Sequence, residues 1–190
     1  MELLRSETDP RWLPIALAGF GEVLVDHAHC ERKAAASAMS LASGSPEHVE
    51  LVRACVGLAQ EELRHFRQVY DLCVARGLAV GRDGGDPYVQ QLLKLMRTGV
   101  EERLVDRLLV SALVEARSCE RLALLGEALP EPELAKFYRA LATAEAGHAT
   151  LFVRLATLYA APESVPPRLE LLAAAEAEIV AALPLVPRIH

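Results

Sequence analysis

Two Glu-x-x-His pairs lie within long apolar stretches of helical periodicity, at Glu62/His65 and Glu145/His148. On a helix, residues three apart share one face, so each carboxylate lies about one turn from its imidazole. A Cys-Glu-Arg triplet precedes each pair in the chain and supplies one further carboxylate. The apolar residues on the same faces predict that all these groups point into the core. The six candidate metal ligands are Glu31, Glu62, His65, Glu120, Glu145 and His148.

Buried carboxylates of this kind favour a metal site. A carboxylate enclosed in a core is unfavourable unless a positive charge pairs with it, and several together repel one another. Two divalent cations would balance four carboxylates and leave two neutral imidazoles as further ligands. Oxygen and nitrogen ligands suit iron or manganese, and the absence of thiolates argues against a zinc–sulfur site. The alternative is that these residues face solvent or form buried arginine–glutamate pairs.

Breaker and capping residues divide the chain into four long helices and two shorter ones. Ser45-Pro46 predicts a capped helix start, as does Asp86-Pro87, and Thr98-x-x-Glu101 reads as a capping box. The expected helices are Ile15–Ala42 (A), Pro46–Arg76 (B), Pro87–Met96, Thr98–Ala128 (C), Glu133–Ala160 (D) and Arg168–Leu183.

This pattern predicts an all-α fold, a ferritin-like antiparallel four-helix bundle with accessory helices. We expect a single domain over residues 1–190. Its bundle core covers about 15–160, and a C-terminal accessory helix covers about 168–183.

The first half of the chain resembles the second. Cys30-Glu31-Arg32 matches Cys119-Glu120-Arg121, and the Glu-x-x-His pair of helix B matches that of helix D. The offsets are 120 − 31 = 89 and 145 − 62 = 83 residues. The difference of 6 predicts a longer connection between helices A and B than between C and D.

Helix C contains a competing carboxylate, Glu115. The face around Glu120 is rich in leucine and alanine, whereas the face of Glu115 carries Ser111 and Ser118. We therefore expect Glu115 to be the less buried of the two and prefer Glu120 as the ligand. One turn before Glu31, His27 is either an outer partner of the metal site or an ordinary core or surface histidine.

The amino-acid composition limits the classes of function that remain. The net charge of −6 counts against a dominant phosphate-binding surface but leaves room for a local basic patch. The basic residues of helix B and the segments after it form either a solvated face or a docking patch for an RNA backbone. They are Arg64, Arg67, Arg76, Arg82, Lys94, Arg97, Arg103 and Arg107.

The cysteines and the N-terminal residues indicate the cellular location that we expect. Four cysteines without a C-x-x-C motif indicate reduced thiols of a cytosolic protein and exclude a rubredoxin-like electron-transfer module. Charged residues interrupt the N-terminal segment, so we expect no signal peptide. No uncharged stretch is long enough to span a bilayer.

Several strings in the sequence resemble one known family. Four strings are similar to motifs of the tRNA hydroxylases that act on 2-methylthio-isopentenyladenosine. The strings are Asp26-His-Ala-His-Cys-Glu-Arg-Lys-Ala-Ala35, Glu61-Glu-Leu-Arg-His-Phe66, Glu115-Ala-Arg-Ser-Cys-Glu-Arg121 and Ala144-Glu-Ala-Gly-His148. The resemblance covers about residues 15 to 160. The string Glu-Ala-Arg-Ser-Cys-Glu-Arg is the most specific of the four.

The resemblance implies a cytoplasmic non-haem di-iron monooxygenase. Such an enzyme hydroxylates the isopentenyl side chain of the modified adenosine beside the tRNA anticodon, with O2 and two electrons from an external reductase. It implies two Fe ions held by the six residues above. We also expect no membrane partner and a monomer or small homo-oligomer. The alternatives are another ferritin-like di-iron oxidase or hydroxylase of a small substrate, and an iron-binding or storage protein, which would form a many-subunit shell.

Overall fold

The computed structural model describes residues 3–190, and every regular element within this range is helical. The helices are Trp12–Ala18 (α1), Phe20–Gly44 (α2), Val49–Ala75 (α3), Pro87–Leu93 (α4), Val100–Ala128 (α5), Pro132–Leu158 (α6) and Val165–Ala182 (α7), with a 3-10 turn at Pro162–Ser164. The all-α prediction is confirmed. None of the helices described is both long and apolar enough to cross a bilayer.

The chain divides into two compact units, each built on one long helical hairpin. The α2–α3 unit comprises residues 18–84 and 187–189, and α2 packs against α3 within it. The α5–α6 unit comprises the chain up to residue 17, residues 85–186 and residue 190; its α5 packs against α6, and α4 and α7 pack against α5 and each other. A single domain over residues 1–190 stays a prediction.

Helices α3 and α6 each bury one continuous stripe. On α3 the buried residues recur at spacings of three and four, which is the period of one helix face. They include Leu51, Cys55, Leu58, Ala59, Glu62, His65, Val69 and Cys73. The same spacing on α6 gives Leu134, Tyr138, Leu141, Glu145, His148, Phe152 and Leu155. In both helices the Glu-x-x-His pair replaces two apolar residues at the middle of the stripe.

Buried charge attaches the accessory segments to α5. Asp106 is fully buried and accepts hydrogen bonds from the guanidinium groups of Arg97, before α5, and Arg168, on α7, at 2.7–3.0 Å. Burial alone would raise the pKa of Asp106, but the hydrogen bonds from the two arginines outweigh it and hold that pKa well below its ordinary value. This ion cluster fixes α7 and the segment before α5 to the N-terminal part of α5.

One glycine is required where α5 meets α6. A Cβ atom on Gly126 would lie 2.7 Å from Cγ of Arg139 and 3.0 Å from the backbone nitrogen of the same residue. Because only the side chain can move away from such a contact, any larger residue would separate the two helices near their turn.

Three predicted helix ends are wrong. Helix A is interrupted at Gly19, which separates α1 from α2. Ser45 does not cap α3, because its carbonyl accepts the amide of His48 in a turn and α3 begins only at Val49. The capping box at Thr98 does not form; α5 begins after Gly99, since the preceding segment is held by Arg97 on Asp106. The Asp86 cap is confirmed: its carboxylate accepts from the amide of Val89 at 3.1 Å.

The connection between α2 and α3 is longer than the one between α5 and α6, as predicted, but the difference is smaller than the offsets of the motifs require. Residues 45–48 join α2 to α3, and residues 129–131 join α5 to α6. The connections therefore contain four and three residues, a difference of one rather than six. The Cys-Glu-Arg triplets are consequently not equivalent positions in the two hairpins.

Candidate metal centre

The α2–α3 unit brings together three of the predicted ligands, which we call the first triad: Glu31, Glu62 and His65. All three are buried, and each offers one ligand atom within 4.8 Å of the others. Nδ1 of His65 lies 3.5 Å from Oε2 of Glu31 and 3.4 Å from Oε2 of Glu62. The triad therefore presents two carboxylates and one imidazole to the same small volume.

The first triad favours positive charge at its centre. Burial by itself would lower the pKa of His65, but its contacts with Glu31 and Glu62 outweigh this and raise the pKa to about 10. Oε2 of Glu31 is buried and accepts no hydrogen bond from any residue in 3–190. A buried carboxylate oxygen in that position fits a cation as its partner.

A further buried histidine, His27 of α2, supports Glu31. Its Nε2 lies 2.6 Å from Oε1 of Glu31, and the ring is only 1% exposed. Residues four apart on a helix are neighbours, so this contact follows directly from the sequence spacing. Of the two alternatives for His27, the structure supports an outer partner that orients a candidate ligand.

The α5–α6 unit contains a second triad of the same composition: Glu115, Glu145 and His148. All three are buried, and their ligand atoms lie within 4.8 Å of one another. Nδ1 of His148 lies 3.1 Å from Oε2 of Glu145. The member of this triad that α5 supplies is Glu115, whereas the sequence predicted Glu120.

The two triads occupy the same level in their hairpins. Glu31 precedes the last residue of α2 by 13 positions, and Glu62 follows the first residue of α3 by 13. Glu115 and Glu145 have the same separations, 13 and 13, from the ends of α5 and α6. Glu120 lies five residues nearer the turn, about 7.5 Å along the helix axis. Distance from the turn is thus the sequence signal that identifies Glu115.

Glu120 is engaged elsewhere in the α5–α6 unit. Its carboxylate accepts hydrogen bonds from the amide and hydroxyl of Thr8, at 2.7 and 2.5 Å, and from Arg117 at 2.5 Å. Its side chain is 23% exposed, whereas Glu115 is 7% exposed. The expectation that Glu115 is the less buried of the two is therefore wrong. Glu120 belongs instead to the arginine–glutamate pairs that were the alternative for all six residues.

Arg117 is the centre of that ion network. It is fully buried and donates two hydrogen bonds of 3.0 Å to the carboxylate of Glu176 on α7. It also donates to the carbonyl of Ser6, while the hydroxyl of Tyr88 donates to Glu176. Sequence spacing indicates only the contact between Arg117 and Glu120, which lie three residues apart on α5. Glu176 and Ser6 lie 59 and 111 residues from Arg117, so local spacing could not reveal them.

The donor set of each triad suits one divalent metal ion. Two carboxylates balance two positive charges, and a neutral imidazole completes the set without adding charge. Oxygen and nitrogen ligands without thiolate are typical of iron and manganese sites. The residues present therefore fit the metal that the sequence predicts.

Comparison with known proteins matches this chain to one family. The family model described as tRNA-(MS[2]IO[6]A)-hydroxylase (MiaE) matches residues 1–190. A tRNA 2-(methylsulfanyl)-N(6)-isopentenyladenosine(37) hydroxylase of Pseudomonas putida is 39% identical over 173 residues, covering 91% of this chain and 84% of that protein. A protein of the same name from Salmonella typhimurium is 35% identical over 131 residues, covering 69% of this chain and 48% of its own length.

A solved structure matches the entire chain. It is described as protein 43 with aldehyde deformylating oxygenase activity from Synechococcus. The TM-score is 0.95 at 38% identity, and the match covers 100% of this chain and 96% of that one. The predicted fold class, an all-α ferritin-like bundle with accessory helices, is confirmed.

Proposed function

This chain belongs to the MiaE family of tRNA-(MS[2]IO[6]A)-hydroxylases, and on that premise we propose that it hydroxylates the isopentenyl side chain of 2-methylthio-isopentenyladenosine in tRNA. One observation carries the proposal. The same buried Glu-Glu-His triad recurs in both units of a chain that matches this family over its whole length. A tRNA substrate also suits a cytoplasmic protein.

We further propose that each triad binds one of two iron ions. The proposed ligands are Glu31, Glu62, His65, Glu115, Glu145 and His148. This set differs from the sequence prediction only in Glu115, which stands in place of Glu120. Burial, mutual distance and equal level in the two hairpins support it.

Iron bound in this way would supply the activation of O2. The overall reaction converts a C–H bond, O2, two electrons and two protons into C–OH and one water. The two electrons come from an external reductase, because the cysteine spacing provides no electron-transfer centre. The chain's own contribution is two buried ligand sets, one within each unit, and His27 orients Glu31 of the first.

The direct test uses the purified iron-loaded protein, a reductase and an anticodon stem-loop RNA that carries 2-methylthio-isopentenyladenosine. Mass spectrometry of the nucleosides should show the gain of one oxygen atom, and isotopically heavy O2 should be its source. The same RNA without the isopentenyl group should remain unchanged. No oxygen gain by the modified nucleoside under conditions that turn over a known family member would contradict the proposal.

A second candidate is an oxygenase that acts on aldehydes. The solved structure described with aldehyde deformylating oxygenase activity, 38% identical to this chain, is the observation that favours it. The same iron-loaded protein, supplied with a long-chain aldehyde instead of RNA, distinguishes the two. Turnover of the aldehyde without reaction on the RNA would favour this second function.

A further inference from the structure

The α5–α6 unit contains a cavity that neither triad uses. Its volume is about 670 Å³, within the range of about 300–1,000 Å³ typical of small-molecule sites. Three alanines of α5 and α6, at positions 116, 146 and 149, contribute to its lining, and residues 3–7 form another wall. We call residues 3–8 the strap and this space the strap cavity.

Small side chains create the strap cavity. Ala149 is buried at 3% exposure, whereas Ala146 and Thr150 are exposed. The cavity therefore has a closed apolar side and an open side that faces solvent. Leu3 and Leu4 add apolar surface from the strap, while Arg5 and Glu7 place charge at the exposed edge. A ligand with an apolar end and a polar remainder matches this distribution.

The strap is fixed where it covers the helices. Thr8 donates from its amide and its hydroxyl to Glu120, and the carbonyl of Ser6 accepts from Arg117. Arg5 pairs with Glu170 on α7. Attachment at three points gives the cavity a wall of defined position, which a binding pocket requires.

The strap cavity adjoins the second triad. Ala116, Ala146 and Ala149 directly follow Glu115, Glu145 and His148 in the sequence. Cys119 lines the cavity one turn beyond Glu115. Burial raises the pKa of the Cys119 thiol, and the charges of Glu145 and Glu120 raise it further, so Glu145 lies within electrostatic reach of this lining residue.

We propose that the strap cavity receives the apolar substituent of the modified adenosine while the rest of the RNA stays outside. The inference rests on the proposed function and adds the place where its substrate is recognised. An enzyme that acts on a base inside RNA holds that base out of the stack and in a pocket. An open edge, an apolar interior and adjacency to a candidate metal triad meet that requirement.

The test compares two anticodon stem-loop RNAs that differ only in the isopentenyl group on one adenosine. Wild-type protein should bind the substituted RNA about tenfold or more tightly, since several carbon atoms become buried. Ala146→Phe should narrow the cavity and abolish this preference, while affinity for the unsubstituted RNA and iron content stay unchanged. Leu4→Ala, which removes apolar wall, should weaken the preference several-fold.

Ala140→Phe is the matched control. Ala140 is exposed on the same helix but does not line the strap cavity, so this variant should keep the full preference. Suppose that the wild-type protein hydroxylates the RNA and that Ala146→Phe and Leu4→Ala still bind the substituted RNA more tightly, as the wild-type protein does. The cavity assignment is then wrong and the proposed function stands. If wild type hydroxylates nothing and binds both RNAs equally, the proposed function itself fails.

Discussion

The two hairpins carry the same triad in different surroundings. In the α2–α3 unit, Glu31 is held at 2.6 Å by His27, a histidine of its own helix. In the α5–α6 unit, the position one turn before Glu115 is Ser111, and the triad adjoins the strap cavity instead. The repeated part is therefore the ligand geometry, whereas the supporting groups differ.

This difference suggests a division of roles. The α2–α3 unit uses a short local contact to orient a ligand, and such contacts depend on a single helix. The α5–α6 unit combines ligands with a cavity, a strap and a buried ion network from distant segments. We expect substitution of His27 to affect metal binding alone, whereas substitutions in the ion network and in the strap cavity of the second unit should affect stability and substrate recognition separately.

The largest effect is expected from Arg117→Met. The change removes the two hydrogen bonds and the positive charge that Arg117 supplies to the buried carboxylate of Glu176, so the free energy of unfolding should fall by about 3–5 kcal/mol. Urea unfolding followed by circular dichroism measures it, with the exposed Arg67→Met as control. The double variant Arg117→Met/Glu176→Leu should recover much of the loss. A decrease below about 1 kcal/mol in the single variant would contradict a structural role for the network.

His65→Ala and His148→Ala should have matching effects, one in each unit. Each removes one proposed ligand, so bound iron should fall well below two per chain. Hydroxylation should fall by more than the roughly 10- to 100-fold typical of outer partners. Metal analysis and the RNA assay measure the two quantities, with His48→Ala at the start of α3 as control. Iron content equal to wild type in either variant would remove that histidine from the ligand set.

A smaller effect, confined to the α2–α3 unit, is expected from His27→Ala. Loss of the contact with Glu31 should weaken iron binding by about 10- to 100-fold, as for other groups that orient metal ligands. The corresponding change in the other unit, Ser111→Ala, should leave iron binding unchanged. Competition with a chelator gives both affinities. Equal losses of iron affinity in His27→Ala and Ser111→Ala would show that the two units do not differ in how their metal ligands are supported.

The smallest effect is expected from Thr8→Ala in the strap. The variant keeps the hydrogen bond from the Thr8 amide to Glu120 but loses the hydroxyl, which donates to Glu120 and accepts from Arg117 and Arg121. The loss should cost about 1.5 kcal/mol. Hydrogen exchange of residues 3–8 should accelerate while iron content stays constant. Loss of iron in this variant would mean that the strap supports the metal ligands, and would contradict an effect confined to the strap.

The stripes on α3 and α6 were predictable from sequence because they depend on local periodicity. Glu62, His65, Glu145 and His148 occupy positions where the spacing of buried residues requires an inward side chain. The helix ends were less predictable, since turns and ion pairs such as Arg97–Asp106 displaced the capping signals.

The choice between Glu115 and Glu120 shows where local reasoning fails. Ser118 made the face of Glu115 look polar, but it is buried and its hydroxyl lies 2.9 Å from Nε2 of His190, 72 residues away. Glu120 looked buried among alanines and leucines, but Thr8, 112 residues earlier, binds it. Neither partner can be recognised from the residues near helix C. Distance from the hairpin turn was visible in the sequence, but the matching Cys-Glu-Arg triplets pointed to a different alignment.

The most direct test of two matched triads is the iron content of Glu115→Gln beside that of Glu120→Gln. Both substitutions remove one negative charge from α5, at positions five residues apart. We expect Glu115→Gln to retain well under two iron ions per chain and Glu120→Gln to retain two, with some loss of stability. Full iron in Glu115→Gln together with depleted iron in Glu120→Gln would contradict the matched triads and restore the ligand that the triplet repeat predicts.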